Sequence, residues 1–358
     1  MTLRGVGGLA IAAALGGAIA IPASLAQTLT AQTTSSDRNV VYPTEAPPAG
    51  QTPLPSQQRS KEGDGLDRDY RVSALQEDFK GGLWVASWQG LARIDPNTGR
   101  TLARVGLPET VISSIIEDKT GRIWIGTSDG LKRIDLRSSE VTAQNYTLPS
   151  NRVWSLQLDS RGYLWVGGDR GLSLISPDQG LLMTTLQKLP GVSANAMTLD
   201  KTGDLWVGTL DGLAKVETSS AFVKQTIRDL PGQTVTALTR DRFGLLWAGT
   251  PEGLLVIDPG NNQITRNVTP MRGKNITALR FDDDGGLWVG TSRGLFRLNP
   301  YNGAIIDEVY ALPSSRILSI SPDTGKKLWI GTSEGLAWVR TDQSSRAVAH
   351  TTFSRVLE

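Results

Sequence analysis

Apolar and polar positions along most of the chain follow one repeated pattern. Segments such as VSALQED (72–78) alternate between apolar and small or polar residues, whereas runs such as LWVGT (205–209) are almost continuously apolar. Alternation of period two predicts a strand with one buried face, and a short continuous apolar run predicts a strand buried on both faces. The pattern therefore predicts a series of short strands separated by turns.

Each unit of the pattern predicts four strands. An Asp-x-x-Gly turn separates the first two, because aspartate accepts hydrogen bonds from the backbone that follows it and glycine adopts positive φ. A tight turn such as SDG (128–130) leads to a third strand such as GLKRID (130–135). The turn DPNTG (95–99) leads to an outer strand, RTLARVG (100–106), and a Leu-Pro pair returns the chain to the next unit.

The unit recurs seven times with a nearly constant period. Each copy has one tryptophan in its second strand, spaced by 40 residues once and by 41 residues five times: Trp84, Trp124, Trp165, Trp206, Trp247, Trp288 and Trp329. Six residues earlier every copy has an aspartate: Asp78, Asp118, Asp159, Asp200, Asp241, Asp282 and Asp323. Six residues later every copy has a glycine followed by leucine: Gly90, Gly130, Gly171, Gly212, Gly253, Gly294 and Gly335.

A four-stranded unit of this length, repeated seven times, predicts an all-β fold: a seven-bladed β-propeller of four-stranded antiparallel blades. Both faces of each blade would then be buried, and the recurrent tryptophan would wedge between neighbouring blades. A solenoid is the alternative, but it needs capping repeats and usually contains helices, and the sequence shows neither. The last blade takes its outer strand either from 347–356, which we favour, or from NVVYPT (39–44).

The N-terminal region predicts export. Arg4 is followed by an apolar stretch over 5–21, and Ser24 and Ala26 occupy the small positions of a cleavage site, so we expect a signal peptide over 1–26. The alternative is an uncleaved anchor, for which this stretch is short. Residues 27–66 are rich in Pro, Thr, Ser and Gln and predict a disordered tether before the propeller at 67–358. The expected location is periplasmic or secreted.

The composition excludes several kinds of partner and of catalytic chemistry. The chain has 37 basic and 35 acidic residues without a clustered basic face, so we expect no nucleic-acid partner. It has no cysteine and a single histidine, His350, which removes thiol chemistry, disulfides and most histidine-based catalysis. FDDDGG (281–286) resembles part of a calcium loop, but it lacks the remaining ligands and predicts a solvated turn. We expect no cofactor, no metal, no membrane span after signal cleavage, and a monomer.

The repeats resemble the two-component regulator propeller family. LPSNRVWSLQLDSRGYLWVGGDRGLSLI (148–175) follows that family's pattern closely, and the resemblance extends over about 67–345. It implies a propeller that serves as the periplasmic sensor half of a membrane histidine kinase, often for glycan fragments. The sequence departs from that arrangement, since no transmembrane helix, kinase or DNA-binding helices follow the propeller. A signalling output would therefore come from a separate protein.

Two tryptophans outside the motif are candidates for ligand binding. The position eleven residues before each motif tryptophan lies at the start of the first strand, at one end of the channel: Ser73, Ser113, Trp154, Asn195, Thr236, Thr277 and Leu318. Trp154 breaks this small, polar series, and Trp88 lies in the turn after the second strand of blade one. Indoles there can stack on a sugar ring. The alternative is that both fill gaps left by small neighbours.

Five arginines are expected at the same end of the propeller. They occupy the starts of first strands or the turns between second and third strands: Arg71, Arg152, Arg170, Arg293 and Arg316. Their forked guanidinium groups could bind an anion. Alternatively, they form a solvated rim that pairs partly with acids of neighbouring turns, namely Asp129, Asp169, Asp211, Glu252 and Glu334.

We interpret the chain as an exported, non-catalytic propeller with a sensor-like role. It would recognise a saccharide, a small anionic ligand or a partner protein at the channel mouth. One alternative is an envelope assembly scaffold that binds peptide segments of a partner. Another is a lyase or hydrolase of unknown substrate, because some seven-bladed propellers are streptogramin lyases with a histidine base and a metal. His350 lies in the predicted last strand, away from the mouth, so it does not match the histidine base of those lyases.

Overall fold

Seven four-stranded antiparallel sheets form the described part of the chain. The computed structural model describes residues 69–107, 110–135, 138, 140–145, 148–176, 178–340 and 345–355. The predicted signal peptide, the tether and NVVYPT lie outside these ranges. Within the described ranges, no helix has the length and apolar character of a membrane span.

Each sheet uses four strands that are consecutive in sequence. The first strands are β1 (Val72–Glu77), β5 (Ile112–Glu117), β9 (Val153–Leu158), β13 (Ala196–Leu199), β17 (Ala237–Arg240), β21 (Ile276–Phe281) and β25 (Ile317–Ser321). The second strands are β2 (Leu83–Ser87), β6 (Ile123–Thr127), β10 (Leu164–Gly168), β14 (Leu205–Thr209), β18 (Leu246–Thr250), β22 (Leu287–Thr291) and β26 (Lys327–Thr332).

The third strands all begin at the repeated glycine: β3 (Gly90–Ile94), β7 (Gly130–Asp135), β11 (Gly171–Ile175), β15 (Gly212–Glu217), β19 (Gly253–Asp258), β23 (Gly294–Leu298) and β27 (Gly335–Arg340). The fourth strands are β4 (Thr101–Gly106), β8 (Glu140–Asn145), β12 (Leu182–Leu186), β16 (Phe222–Ile227), β20 (Gln263–Asn267), β24 (Ile305–Val309) and β28 (Val348–Ala349). A 3-10 turn, Thr269–Met271, precedes β21. First strands of adjacent sheets contact one another, and β25 contacts β1. The ring is closed, which confirms the predicted propeller.

The second strands carry the core, and their tryptophans lie between blades as predicted. All seven motif tryptophans are at most 4% exposed. Trp84 of blade one packs in one cluster with Ile112, Ile123 and Ile134 of blade two. Adjacent residues of a second strand face opposite blades, which explains why the sequence is apolar at consecutive positions.

In blades one to six, the aspartate six residues before the tryptophan organises the turn between the first two strands, and Asp241 shows how. Its Oδ1 accepts hydrogen bonds from the backbone N–H groups of Phe243, Gly244 and Leu245 at 2.8–2.9 Å. Its Oδ2 accepts a hydrogen bond from Trp247 Nε1 at 3.1 Å. In blades two to five, the spacing of six residues therefore lets one carboxylate hold both the turn and the tryptophan.

The glycine that begins each third strand has positive φ, and in several blades close backbone approach also requires it. Gly212 has φ of +96°, and a Cβ there would lie 2.0 Å from the carbonyl oxygen of Ile227 on the neighbouring strand. A side chain would collide with backbone that cannot move without breaking the ladder, so only glycine fits.

Side-chain hydrogen bonds link the first strands around the channel, and we call them the inner hydrogen-bond ring. In every blade except blade two, a polar residue near the start of the first strand donates to a backbone carbonyl of the next blade among the described residues. The six bonds among the described residues run from Ser73 to Ile112, Ser155 to Ala194, Asn195 to Val235, Thr236 to Ile276, Thr277 to Ile317 and Ser319 to Val72.

Blade seven meets blade one at a junction that we call the seam. Blade seven consists of β25 to β28, so every blade is continuous in sequence, as we favoured. The last strand is shorter than the predicted 347–356, because the chain turns after His350 and inserts Phe353, 1% exposed, into the core beside Val72 and Trp329. Lys327 Nζ also donates to two backbone carbonyl oxygens of blade one at 2.7 and 2.8 Å.

Candidate functional site

A cavity of about 560 Å³ opens at the end of the ring where the first strands begin. The starts of β1, β5, β9, β13, β17 and β25 form its wall, together with the turn after β2. We call it the mouth cavity. Four of the seven predicted site residues line it together, namely Arg71, Trp88, Trp154 and Arg316.

The two candidate tryptophans differ in how they are held. Trp154 is 42% exposed, although every motif tryptophan is at most 4% exposed. Trp88 is partly buried, and its ring packs edge-on against Tyr70, with centroids 6.2 Å apart. The exposure of Trp154 argues against gap filling, and the packing of Trp88 makes it a fixed wall of the cavity.

Trp154 occupies a position that elsewhere serves the inner hydrogen-bond ring. In blades one, four, five and six the equivalent residue donates to the next blade, but an indole on this strand does not. The next residue, Ser155, donates to Ala194 O at 3.1 Å instead. The same exchange occurs where Leu318 stands, because Ser319 donates to Val72 O. The hydrogen bond from blade three to blade four is therefore retained, and the Trp154 side chain lines the mouth cavity.

The charges at the mouth cavity do not cancel. Arg71 Nε lies 2.8 and 2.7 Å from the carboxylate oxygens of Asp69, and its Nη2 also contacts that carboxylate. The hydrogen bond from Arg71 holds the pKa of Asp69 below its usual range, and the pair is neutral overall. The exposed Arg316 has no ion pair among the described residues, where its backbone N–H donates to Ser314 Oγ at 3.2 Å. One positive charge remains to attract an anion.

Polar groups of the cavity wall add hydrogen-bond acceptors that the sequence analysis did not single out. The Thr236 hydroxyl donates to Ile276 O at 2.6 Å, and Ser73 donates to Ile112 O. Because their protons are committed to the backbone, these oxygens can accept a hydrogen bond from a ligand hydroxyl. The signal was present in the sequence as the small, polar series at the first-strand starts.

The other three predicted arginines do not line the mouth cavity. Arg152, Arg170 and Arg293 are exposed at the strand starts and turns where the repeat places them. Across the described residues, none of the five arginines forms an ion pair with a turn acid. Arg71 pairs with Asp69 instead, and Asp211 lies 3.8 Å from Arg228.

His350 and the acidic turn at 281–286 lie away from the mouth cavity. His350 is 8% exposed at the seam, where its Nε2 lies 2.9 Å from Gly99 O, and burial lowers its pKa. Asp282 accepts a hydrogen bond from Gly286 N at 2.7 Å and pairs with Arg297, so it serves its turn. Over the described ranges, no group of three or more His, Cys, Asp or Glu side chains could hold a metal ion.

Four segments of the chain match the family model described as "Two component regulator propeller": residues 106–129, 147–170, 229–252 and 270–293. Each segment ends just after the second strand of one blade, in blades two, three, five and six. The resemblance expected from the repeats is confirmed in these four copies. No curated protein matches the chain.

Solved structures similar to this chain share its fold at low sequence identity. Two are extracellular domains assigned to hybrid two component systems of B. thetaiotaomicron, with 22% and 19% identity and TM-scores of 0.62 and 0.63. The matches cover 74% and 78% of this chain but only 39% and 45% of those chains, so this chain spans less than half of either.

A third similar structure is an enzyme. An inactive form of virginiamycin B lyase from Staphylococcus aureus with quinupristin has 16% identity and a TM-score of 0.65, and the match covers 76% of this chain and 96% of that one. Because extracellular domains of two component systems and a lyase share the fold at similar TM-scores, the likeness establishes architecture, and function has to be argued from the site.

Proposed function

We propose that this chain of two component regulator propeller repeats is an exported recognition domain that binds a small saccharide, with a preference for an acidic one, at the mouth cavity. The observation that carries the proposal is the exposed indole of Trp154 in the same cavity as Trp88 and the unpaired Arg316. An indole face stacks on the apolar face of a sugar ring, and a guanidinium binds a carboxylate through two parallel N–H groups.

The volume and the polar wall of the cavity support a small ligand. About 560 Å³ lies within the usual range for small-molecule sites. The oxygens of Ser73 and Thr236 offer acceptors to sugar hydroxyls, while Arg316 offers donors to an acid group. Stacking, acceptors and a cation thus occur on one concave surface, as saccharide recognition requires.

A sensor-like role in the cell envelope follows as part of the same proposal. Similarity to extracellular domains of hybrid two component systems supports recognition outside the cytoplasm, and the predicted signal peptide agrees with it. Binding would be transmitted to a signalling output or to an envelope partner.

We propose binding without catalysis. Among the described residues that line the mouth cavity, Asp69 is the only acid, and it is engaged by Arg71. The single histidine packs at the seam between Trp329 and Phe353. The cavity wall therefore offers no evident general base, since its other polar groups are hydroxyls, an amide and guanidinium groups.

The test is a titration of the protein, purified after export, with neutral disaccharides and with disaccharides that contain a uronic acid. We expect at least one sugar acid to bind and to raise the melting temperature. Trp154→Ser should weaken binding by about tenfold or more, because the stacking surface is lost. Its melting temperature without ligand should stay close to that of the wild type, because the side chain is exposed.

Two controls separate a binding role from a packing role. Phe222→Ser removes another exposed aromatic ring, 66% exposed on β16, and should leave binding intact. Trp206→Ala truncates a fully buried motif tryptophan and should lower the free energy of unfolding by about 3–5 kcal/mol. Trp154→Ser behaving like Trp206→Ala, with binding retained, would refute the proposal. Absence of binding by every sugar would also refute it and favour a protein partner.

A further inference from the structure

The channel through the ring is a second concave space, and it shares wall residues with the mouth cavity. It has a volume of about 200 Å³ and is lined by all seven first strands. Trp154 borders it at the end where these strands start, and Arg280 borders it near the end of β21. The position equivalent to Trp154 on β21 is Thr277, three residues before Arg280. At the usual rise of a strand, this separation is roughly 10 Å along the channel axis.

Arg280 is the one charged side chain among the described residues that line the channel. Arg280 is exposed to the solvent of the channel, and the neighbouring first strands line the space around it. No hydrogen bond or ion pair to Arg280 occurs within the described part of the chain. Burial lowers the pKa of its guanidinium, and no carboxylate counteracts that effect.

The repeat makes Arg280 an exception. In each blade, one residue of the first strand pairs directly with the motif tryptophan of the second strand. In blade six this residue is Arg280, and the equivalent residues of the other blades lie at the same height along the channel axis. In the other six blades they are uncharged: Gln76, Ile116, Gln157, Thr198, Thr239 and Ser321. A neutral residue is therefore compatible with the fold at this position, so the cation is not required for packing.

We propose that the channel is an oxyanion site in which Arg280 binds a carboxylate, sulfate or phosphate group. An unpaired cation in a narrow space walled by protein is costly, and an entering anion compensates it. The forked guanidinium matches the geometry of an oxyanion with two N–H donors. This site is separate from the proposed saccharide site and does not depend on it.

Inorganic phosphate is the probe. Thermal unfolding of the exported protein would be followed while sodium phosphate replaces sodium chloride at constant ionic strength. We expect a saturable rise in melting temperature, about 2–4 °C at ten times the Kd. Arg280→Gln, which places the residue of blades one and three here, should remove the saturable rise. It should also melt at a higher temperature than wild type without phosphate, because the uncompensated charge is gone.

Controls separate this effect from general salt effects and from the mouth cavity. Phosphate also stabilises proteins by exclusion from their surface, but that effect does not saturate and is shared by all variants. Arg293→Gln, at an exposed turn, should keep the saturable rise. Phe222→Ser, which removes an exposed ring on β16 outside both spaces, should keep it too. The titration contains no sugar, so failure of the saccharide proposal would leave this result standing. Arg280→Lys should keep a weaker response and provides a comparison if the glutamine variant does not fold.

Two results would overturn the proposal: no saturable rise in the wild type, or an equal saturable rise in Arg280→Gln. The source of the anion is distinguished by a titration with a sugar acid and its neutral counterpart. If Arg280→Gln weakens only the acid, the bound group belongs to the ligand of the mouth cavity. If neither affinity changes while the phosphate response is lost, a free anion occupies the channel.

Discussion

The repeated aspartates share a sequence position but differ in their electrostatic surroundings. Burial alone would raise the pKa of Asp118, yet hydrogen bonds from Thr120, Trp124 and Arg122 outweigh it and lower the pKa. Asp323 has positive φ, and Trp329 Nε1 donates to Thr324 O instead of to this carboxylate. Burial then raises the pKa of Asp323, and the neighbouring acids Asp283, Asp282 and Asp284 add to the effect.

This difference predicts opposite effects of two substitutions on stability. A lowered folded-state pKa stabilises the fold above the ordinary value near 4, and the contribution is lost as pH falls through the lowered pKa. Asp118→Asn should therefore reduce the free energy of unfolding at pH 7, with a deficit that closes in acid. Asp323→Asn should increase it at pH 7, and that gain should vanish below about pH 4.

Urea denaturation of both variants and the wild type between pH 3 and pH 7 tests this prediction. The decisive quantity is the difference from wild type at each pH. A loss of stability at pH 7 in Asp323→Asn would show that the hydrogen bond from Asp283 N, 2.8 Å from the carboxylate, outweighs the cost of burying its charge.

At the scale of the strand, the inner hydrogen-bond ring joins neighbouring blades where their first strands meet around the channel. Thr277→Val removes the hydroxyl that donates to Ile317 O at 2.7 Å and leaves that carbonyl without its partner. We expect a loss of about 1 kcal/mol in the free energy of unfolding, measured by urea denaturation. Thr226→Val, at an exposed position of β16, is the matched control and should change stability little. Equal effects of the two variants would contradict a role for the ring.

The strands could be predicted from the sequence because the same pattern occurs in seven copies. Alternation, the continuous apolar run and the two turn signals agree in every copy, so an error in one copy is corrected by the others. β28 was predicted as the outer strand of the last blade but was predicted too long, because the placement of Phe353 depends on the hydrophobic pocket formed by blades one and seven.

Residues of the candidate site were predictable only where they break the repeat visibly. Trp154 stands out because an indole replaces small polar residues at a position known to border the channel. Arg280 escaped notice because its level of the channel already varies among Gln, Ile, Thr and Ser. The sequence could not show which arginines line the same cavity. It predicts their position along the channel axis but not the direction in which a long side chain extends.

At the scale of the whole molecule, the ring is completed without exchanging a strand between the ends of the propeller. Phe353 and the hydrogen bonds of Lys327 and Ser319 hold blade seven against blade one. Phe353→Ala should lower the free energy of unfolding by about 3–5 kcal/mol, because a fully buried ring is lost at the closure. Phe79→Ala, which truncates a ring that is 72% exposed, should be nearly neutral.

Calorimetry and limited proteolysis would check this prediction together. We expect Phe353→Ala to melt at a lower temperature and to be cleaved first at its C-terminal blade. Cleavage spread evenly over all seven blades would contradict closure by this residue, because it would show that the seam is no weaker than the other junctions.

The seam also determines how the molecule responds to mechanical force. Six junctions are crossed by the polypeptide itself, since the outer strand of one blade leads directly into the first strand of the next. The seam alone is crossed by no covalent connection within the described residues, and only side-chain packing and hydrogen bonds resist its separation. Tension applied between residue 69 and residue 355 would therefore part blade seven from blade one first, and the remaining blades would then peel away in order from either end.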